Sequence, residues 1–254
     1  MTVVLWHIEV SHFNEKARWA LDYKSIAHEL RVPMPGFHGV RALVLTRGAQ
    51  RRLPVLELDG RRIGDSTAII AALEAHRPEP ALYPADAAER RRALELEDFF
   101  DEQLGPEVRR LIWHHTLPDT DAVVDSLFAD RAPGRARFLR ATAPLARPVV
   151  RRDYGVSAAR AEAARAKILH AMDRLEAEIR PSGHLAGDAF SVADLTAAAL
   201  FTPLLAPPHR PFLPATIVPA LQDFRDELTA RPGGRFVHAM YERHRRSVSA
   251  TAPA

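Results

Sequence analysis

The hydrophobic pattern along the chain divides near residue 84. Before that point short apolar runs alternate with helical spacing, and after it only helical spacing recurs. The β-branched run at 3–8 predicts a buried strand, and Phe13, Ala17, Ala20 and Leu21 then recur at helical intervals. Residues 27–32 read as a second strand, closed by Pro33 and Pro35, and 36–50 as loop with one short helix. Residues 55–58 and 61–63 flank Asp59-Gly60, the dipeptide suited to the positive φ angles of a type I′ turn, and so predict a hairpin. Residues 66–75 are helical again, and Pro78 and Pro80 mark a linker. A helix between the first two strands implies a parallel, right-handed pair. The hairpin adds antiparallel strands, so the sheet is expected to be mixed.

The second half predicts helices only. A long one covers 86–114, a second 157–180, and two more 191–205 and 219–230. Between 114 and 157, Pro118, Pro133, Pro144 and Pro148 interrupt the pattern, which predicts short helices and loops. The tail after Arg246 is expected to fray. The domains read as 1–78 and 85–246, with a long insert at about 114–157.

Composition narrows the function. The chain has 254 residues, 47% hydrophobic and 26% charged, which suits a folded rather than a disordered chain. No apolar run approaches the roughly 20 residues of a membrane span. Residues 1–8 lack the charged start and cleavage site of an export signal, so a cytoplasmic protein is expected. With no cysteine, disulfides, thiolate metal sites and cysteine nucleophiles are excluded, and sulfur chemistry needs a thiol carried by a ligand. The net charge is only +3 and the arginines come as scattered pairs, which argues against a nucleic-acid surface. Adjacent His114 and His115 point about 100° apart on a helix, so no metal site is expected. The charges at 89–92 read as a solvated helix face, and Phe99, Phe100 and Trp113 as packing residues.

Four short stretches carry candidate chemistry. Ser11-His12-Phe13-Asn14 sits between the first strand and helix, where thioredoxin relatives place C-x-x-C because a helix N-terminus stabilises a thiolate. A serine hydroxyl there can donate a hydrogen bond to a ligand's thiolate. It can equally be a helix cap. Leu53-Pro54 opens a strand, where proline cannot donate to the ladder and invites a cis bond, although a trans edge proline is the commoner case. Asp65-Ser66-Thr67 opens a helix and suits either a bound carboxylate or simple capping. Ser191 and Asp194 have the form of a capping box.

In order and spacing these stretches resemble the cytosolic glutathione transferase superfamily, its serine-type members in particular. The likeness is strongest over 3–77 and 184–200. It implies a thioredoxin-like mixed-sheet domain followed by an all-helical one, and an enzyme that activates glutathione as co-substrate for attack on a hydrophobic electrophile. Ser11 would activate the thiol, with His12 or Asn14 as alternatives. The backbone at Leu53, before Pro54, would pair with the cysteinyl backbone. Asp65 would meet the γ-glutamyl amine, Ser66 its carboxylate, and Arg51 or Arg52 the glycine carboxylate. A two-fold homodimer is implied as well. His12 stands where the family often has proline, and the 114–157 segment is long for it. A non-catalytic ligand-binding protein, or a dedicated dehalogenase, isomerase or etherase, would share the fold. The arginine-rich composition also leaves room for a thiol other than glutathione.

Overall fold

A computed structural model describes residues 2–34, 36–119, 121, 124, 133–208, 210–212 and 218–245. The predicted tail after Arg246 lies outside them. Strand β1 (Val3–Trp6) leads into helix α1 (His12–Tyr23), then β2 (His28–Arg31), α2 (His38–Leu45), β3 (Val55–Leu58), β4 (Arg61–Gly64) and α3 (Ser66–His76). The sheet order is β2-β1-β3-β4. β1 runs parallel to β2 and antiparallel to β3, so the sheet is mixed as expected. Asp59 and Gly60 take φ of 50° and 76°, the double positive angle of the predicted hairpin turn.

Alternation along β1 sends neighbouring side chains to opposite faces. Val4 and Trp6 pack with Ala42, Leu45, Leu53 and Val55 under α2. Leu5 faces the other way and joins Trp19, Leu21, Ile69 and Leu73 of α1 and α3. That second cluster continues without a break into the helical half of the molecule.

The helical half comprises α4 (Ala87–Phe99), a π-helical turn (Phe100–Leu104), α5 (Gly105–Thr116), α6 (Pro133–Asp153), α7 (Ala158–Glu178), α8 (Val192–Leu205), α9 (Gln222–Ala230) and α10 (Pro232–His244). α8 is buried at every position and forms the central post. The Asp194 carboxylate at its start accepts from Ser191 N–H and Oγ–H, each at 2.8 Å, and from Leu185 N–H at 2.9 Å. Among the described residues no helix is long and apolar enough to cross a membrane.

Four sequence expectations need correction. The predicted long helix at 86–114 contains a π turn, one residue wider than an α turn, which re-aims the side chains after Phe100. The segment at 133–153 is one 21-residue helix rather than short pieces. Its Pro144 and Pro148 stand one turn apart on an exposed face, so water can reach the carbonyls they leave unbonded. The charges at 89–92 are not merely solvated: Glu89 accepts from Gly187 N–H at 2.7 Å, and Arg92 donates to Leu185 O at 2.9 Å and pairs with Glu178. Finally, α10 lies beyond the four helices that the pattern predicts in this half, and it contains Gly233 and Gly234. These glycines allow close packing. A Cβ would lie 2.3 Å from Met172 Sδ at Gly233 and 2.2 Å from Leu228 O at Gly234.

Candidate active site

The chain leaves β1 and turns at Ser11 into α1. Ser11 holds the N-cap position with φ −82° and ψ 125°, yet its side chain makes no capping bond. Instead its Oγ accepts a hydrogen bond from Asn14 Nδ2 at 2.7 Å. The same amide group donates to Leu53 O at 3.1 Å, and Asn14 Oδ1 accepts from Ile8 N–H at 3.0 Å. A backbone N–H can only donate, so the Ile8 contact fixes which end of the amide faces Ser11. Ser11 therefore acts as acceptor toward Asn14 and keeps its own O–H free to donate. Arg18, one turn further on, donates to Ile8 O at 3.3 Å and Glu9 O at 3.0 Å and holds the turn.

His12 points away from this group. It is buried, its ring lies 4.7 Å from that of Phe13, and Nε2 donates to Gly105 O at 3.0 Å across the domains. Burial first, and the charge of Arg109 second, push its pKa down to about 3. His12 is thus a neutral tie between halves of the molecule. Gly105 is required there, since a Cβ would stand 2.4 Å from the Phe13 ring.

Leu53-Pro54 is a cis peptide bond. Gln50 braces it by donating from Nε2 to Arg52 O at 2.8 Å and Pro54 O at 3.3 Å. At the start of α3, Asp65 has φ 73° and spends Oδ1 on Thr67 N–H and Ala68 N–H at 2.9 and 3.2 Å. Capping therefore belongs to Asp65. Ser66 is buried beside it, and its hydroxyl makes no hydrogen bond among the described residues.

The π turn supplies the facing wall. Asp101 Oδ2 accepts from Lys16 Nζ at 2.5 Å and Thr67 Oγ1 at 2.7 Å, while Oδ1 is buried without a partner. Lys16 is wholly buried and also meets Glu97 at 2.7 Å. Ser11, Arg52, Leu53, Pro54, Asp65 and Ser66 all line one cleft of about 1080 Å³. Arg51 and Arg52 stand at its exposed mouth. Asp101, Arg109, Trp113 and Tyr154 line the same cleft from the helical side. No local sequence motif marks Asp101, Arg109 or Tyr154 for this role, and Trp113, expected as a packing residue, also lines the cleft. The one local signal was Gly105-Pro106 inside a helical pattern, which marks the irregular turn.

A pocket with a free serine hydroxyl at a helix N-terminus, a cis-proline strand entry and a second helix N-terminus across from it can hold a charged peptide-like thiol. The sequence matches the family description "Glutathione S-transferase, N-terminal domain" over residues 5–81 and "Glutathione S-transferase, C-terminal domain" over residues 139–232. The chain belongs to the glutathione S-transferase superfamily. The N-terminal match spans Ser11, Leu53-Pro54 and Asp65-Ser66. The fold is similar to that of the β-etherase LigF from Sphingobium sp. strain SYK-6, at TM-score 0.60 and 21% identity over 95% of this chain and 99% of that one. It is similar to FzlA from C. crescentus, at TM-score 0.59 and 22% identity over 100% of this chain and 96% of that one. A glutathione S-transferase from Methylobacterium radiotolerans, in complex with glutathione sulfonate, aligns at TM-score 0.52 and 24% identity over 92% of each chain. No curated protein matches this sequence.

Proposed function

We propose that this glutathione S-transferase relative is an active, serine-type enzyme that ionises the thiol of glutathione and directs it at an electrophile held against the helical domain. The observation that carries this reading is the direction of the Asn14–Ser11 bond, which leaves the Ser11 O–H as an unused donor lining the cleft. Moving a free thiol from pKa near 8.5 to below neutrality takes on the order of 2 kcal/mol. One hydrogen bond to a charged acceptor is worth about 1.5–3 kcal/mol. Ser11 alone can therefore supply most of the shift, with the N-terminus of α1 adding to it.

The rest of the cleft fits the ends of the tripeptide. The unpaired Ser66 hydroxyl and the α3 N-terminus suit the γ-glutamyl carboxylate, and Asp65 its amine. The backbone at Leu53 before cis-Pro54 suits the cysteinyl backbone, and Arg52 at the mouth suits the glycine carboxylate. The enzyme would work in the cytoplasm as a two-fold dimer, and light scattering at micromolar concentration giving twice 28.3 kDa tests the latter.

Calorimetric titration with reduced glutathione, and separately with a chemically different low-molecular-weight thiol, tests the binding. Saturable heat with glutathione and little with the other thiol is expected. No heat with glutathione contradicts the proposal. Binding with no turnover of any electrophile would reduce the protein to a ligand-binding relative.

A further inference from the structure

Among the described residues, Arg109 is the one charged side chain of α5 that faces the cleft without a counter-charge. Its neighbour Arg110 pairs with Glu107, as Lys167 does at 3.0 Å. Arg109 makes no ion pair among the described residues, and its Nε is buried with no hydrogen-bond partner. Four carboxylates line the cleft, and each is otherwise placed. Asp65 caps α3, Asp101 is held by Lys16, and Glu102 and Asp153 are exposed and not paired with Arg109.

Aromatic rings hold the guanidinium instead. It sits 4.6 Å from the Tyr154 ring and 5.7 Å from the Phe13 ring. Trp113, one turn along α5, stacks on Tyr154 at 6.1 Å and 12°. Burial lowers the pKa of Arg109, and the like charge of Arg52 adds to this. Keeping an unpaired cation half-buried costs free energy that a structural role does not require, since a methionine would pack against the same rings. Arg109 also lines the same cleft as Ser11.

We propose that the electrophile is a planar aromatic molecule carrying a carboxylate or similar anion, bound by Arg109 with its ring beside Trp113 and Tyr154. This rests on the transferase reading for the reaction, though not for the binding. In 4-chloro-3-nitrobenzoate, for example, the glutathione thiolate would form a C–S bond at the ring carbon and chloride would leave with the C–Cl electron pair. The carboxylate would stay untouched on Arg109.

Two measurements separate the claims. The first is calorimetric binding of the unreactive pair 4-nitrobenzoate and 4-nitrobenzamide, with no thiol present. Wild type is expected to prefer the benzoate by about 10-fold or more, Arg109→Met to lose the preference and Arg109→Lys to keep part of it. The second is kcat/KM for 4-chloro-3-nitrobenzoate against its amide, with glutathione affinity followed alongside. Arg109→Met should lower the first by about 10-fold or more, and leave the second and the glutathione affinity within about 3-fold. Equal wild-type affinity for benzoate and amide overturns the proposal, as does an Arg109→Met protein that keeps the preference. A large loss of glutathione affinity would assign Arg109 to the thiol and overturn it as well. If the benzoate preference holds and vanishes with Arg109→Met while no substrate turns over, the anion site stands and the transferase reading falls.

Discussion

Asn14 Nδ2 and Ser11 Oγ lie 2.7 Å apart, with the amide donating and the hydroxyl accepting. The pair occupies the two ends of the motif where a redox-active relative would carry two cysteines. Here the second position has become a support for the first. Asn14 is wholly buried and its amide is anchored by Ile8 N–H and Leu53 O, so the Ser11 hydroxyl is presented in a fixed direction.

Asn14→Asp therefore inverts the pair. A carboxylate accepts only, so Ser11 would turn its O–H toward residue 14 and lose it for a ligand. Turnover with glutathione should fall as far as it does in Ser11→Ala, although the serine is still present. Steady-state kinetics on both variants check this, and an Asn14→Asp protein with wild-type kcat would show that the hydroxyl is not held in this way.

Ser66→Ala should weaken glutathione binding by about 10- to 150-fold, the value of one hydrogen bond to a charged group. Because the cap of α3 is Asp65, the same change should cost well under the ~1 kcal/mol of a lost cap. Calorimetry and thermal melting on one preparation check both. A small loss in each would leave Ser66 without a binding role.

His12 gives a stability signature at acid pH. Its folded pKa is lowered to about 3 from 6.5, so between those values the unfolded chain takes up a proton that the folded chain refuses. Stability is then fully present above pH 6.5 and falls as pH drops, by about 1.4 kcal/mol per unit for this residue. His12→Gln keeps a donor for Gly105 O and does not titrate. Between pH 6.5 and 4.5 it should lose about 2 kcal/mol less than wild type in urea denaturation. Parallel losses would mean that His12 titrates normally.

Lys16 ties α1 to α4 through Glu97 and to the π turn through Asp101, with no exposed surface of its own. Lys16→Met leaves two carboxylates facing each other in the interior and should cost about 3–5 kcal/mol. Adding Glu97→Gln should return part of that, because one buried charge is then removed. Denaturant titration of the single and double variants reads the difference.

Much of the site was legible in the sequence because it is local. Ser11 precedes a helix, Pro54 opens a strand, and Asp65-Ser66 begins another helix; each can be read from neighbours within a few residues. The division of labour was not. That Asp65 caps rather than Ser66 is a choice between two adjacent residues that the sequence pattern alone leaves open. That Asn14 donates while Ser11 accepts depends on the Ile8 N–H and Leu53 O that orient the Asn14 amide. The helical wall was hidden for a similar reason. The π turn at Phe100–Leu104 holds Asp101 and shifts the phase of the residues after it by one, among them Arg109, which lines the cleft. Pro144 and Pro148 suggested breaks, but with one turn between them on an exposed face they sit within a single helix.

The hydroxyl of Ser11 is the centre of the proposed chemistry, and the ionisation of bound glutathione reads it directly. Ultraviolet absorbance of the thiolate, followed against pH at saturating glutathione, gives the pKa of the bound thiol in wild type and in Ser11→Ala. The wild-type value should lie at least about one unit below the free thiol, and the variant should return most of the way to it. The same pKa in both proteins would contradict the assignment of Ser11.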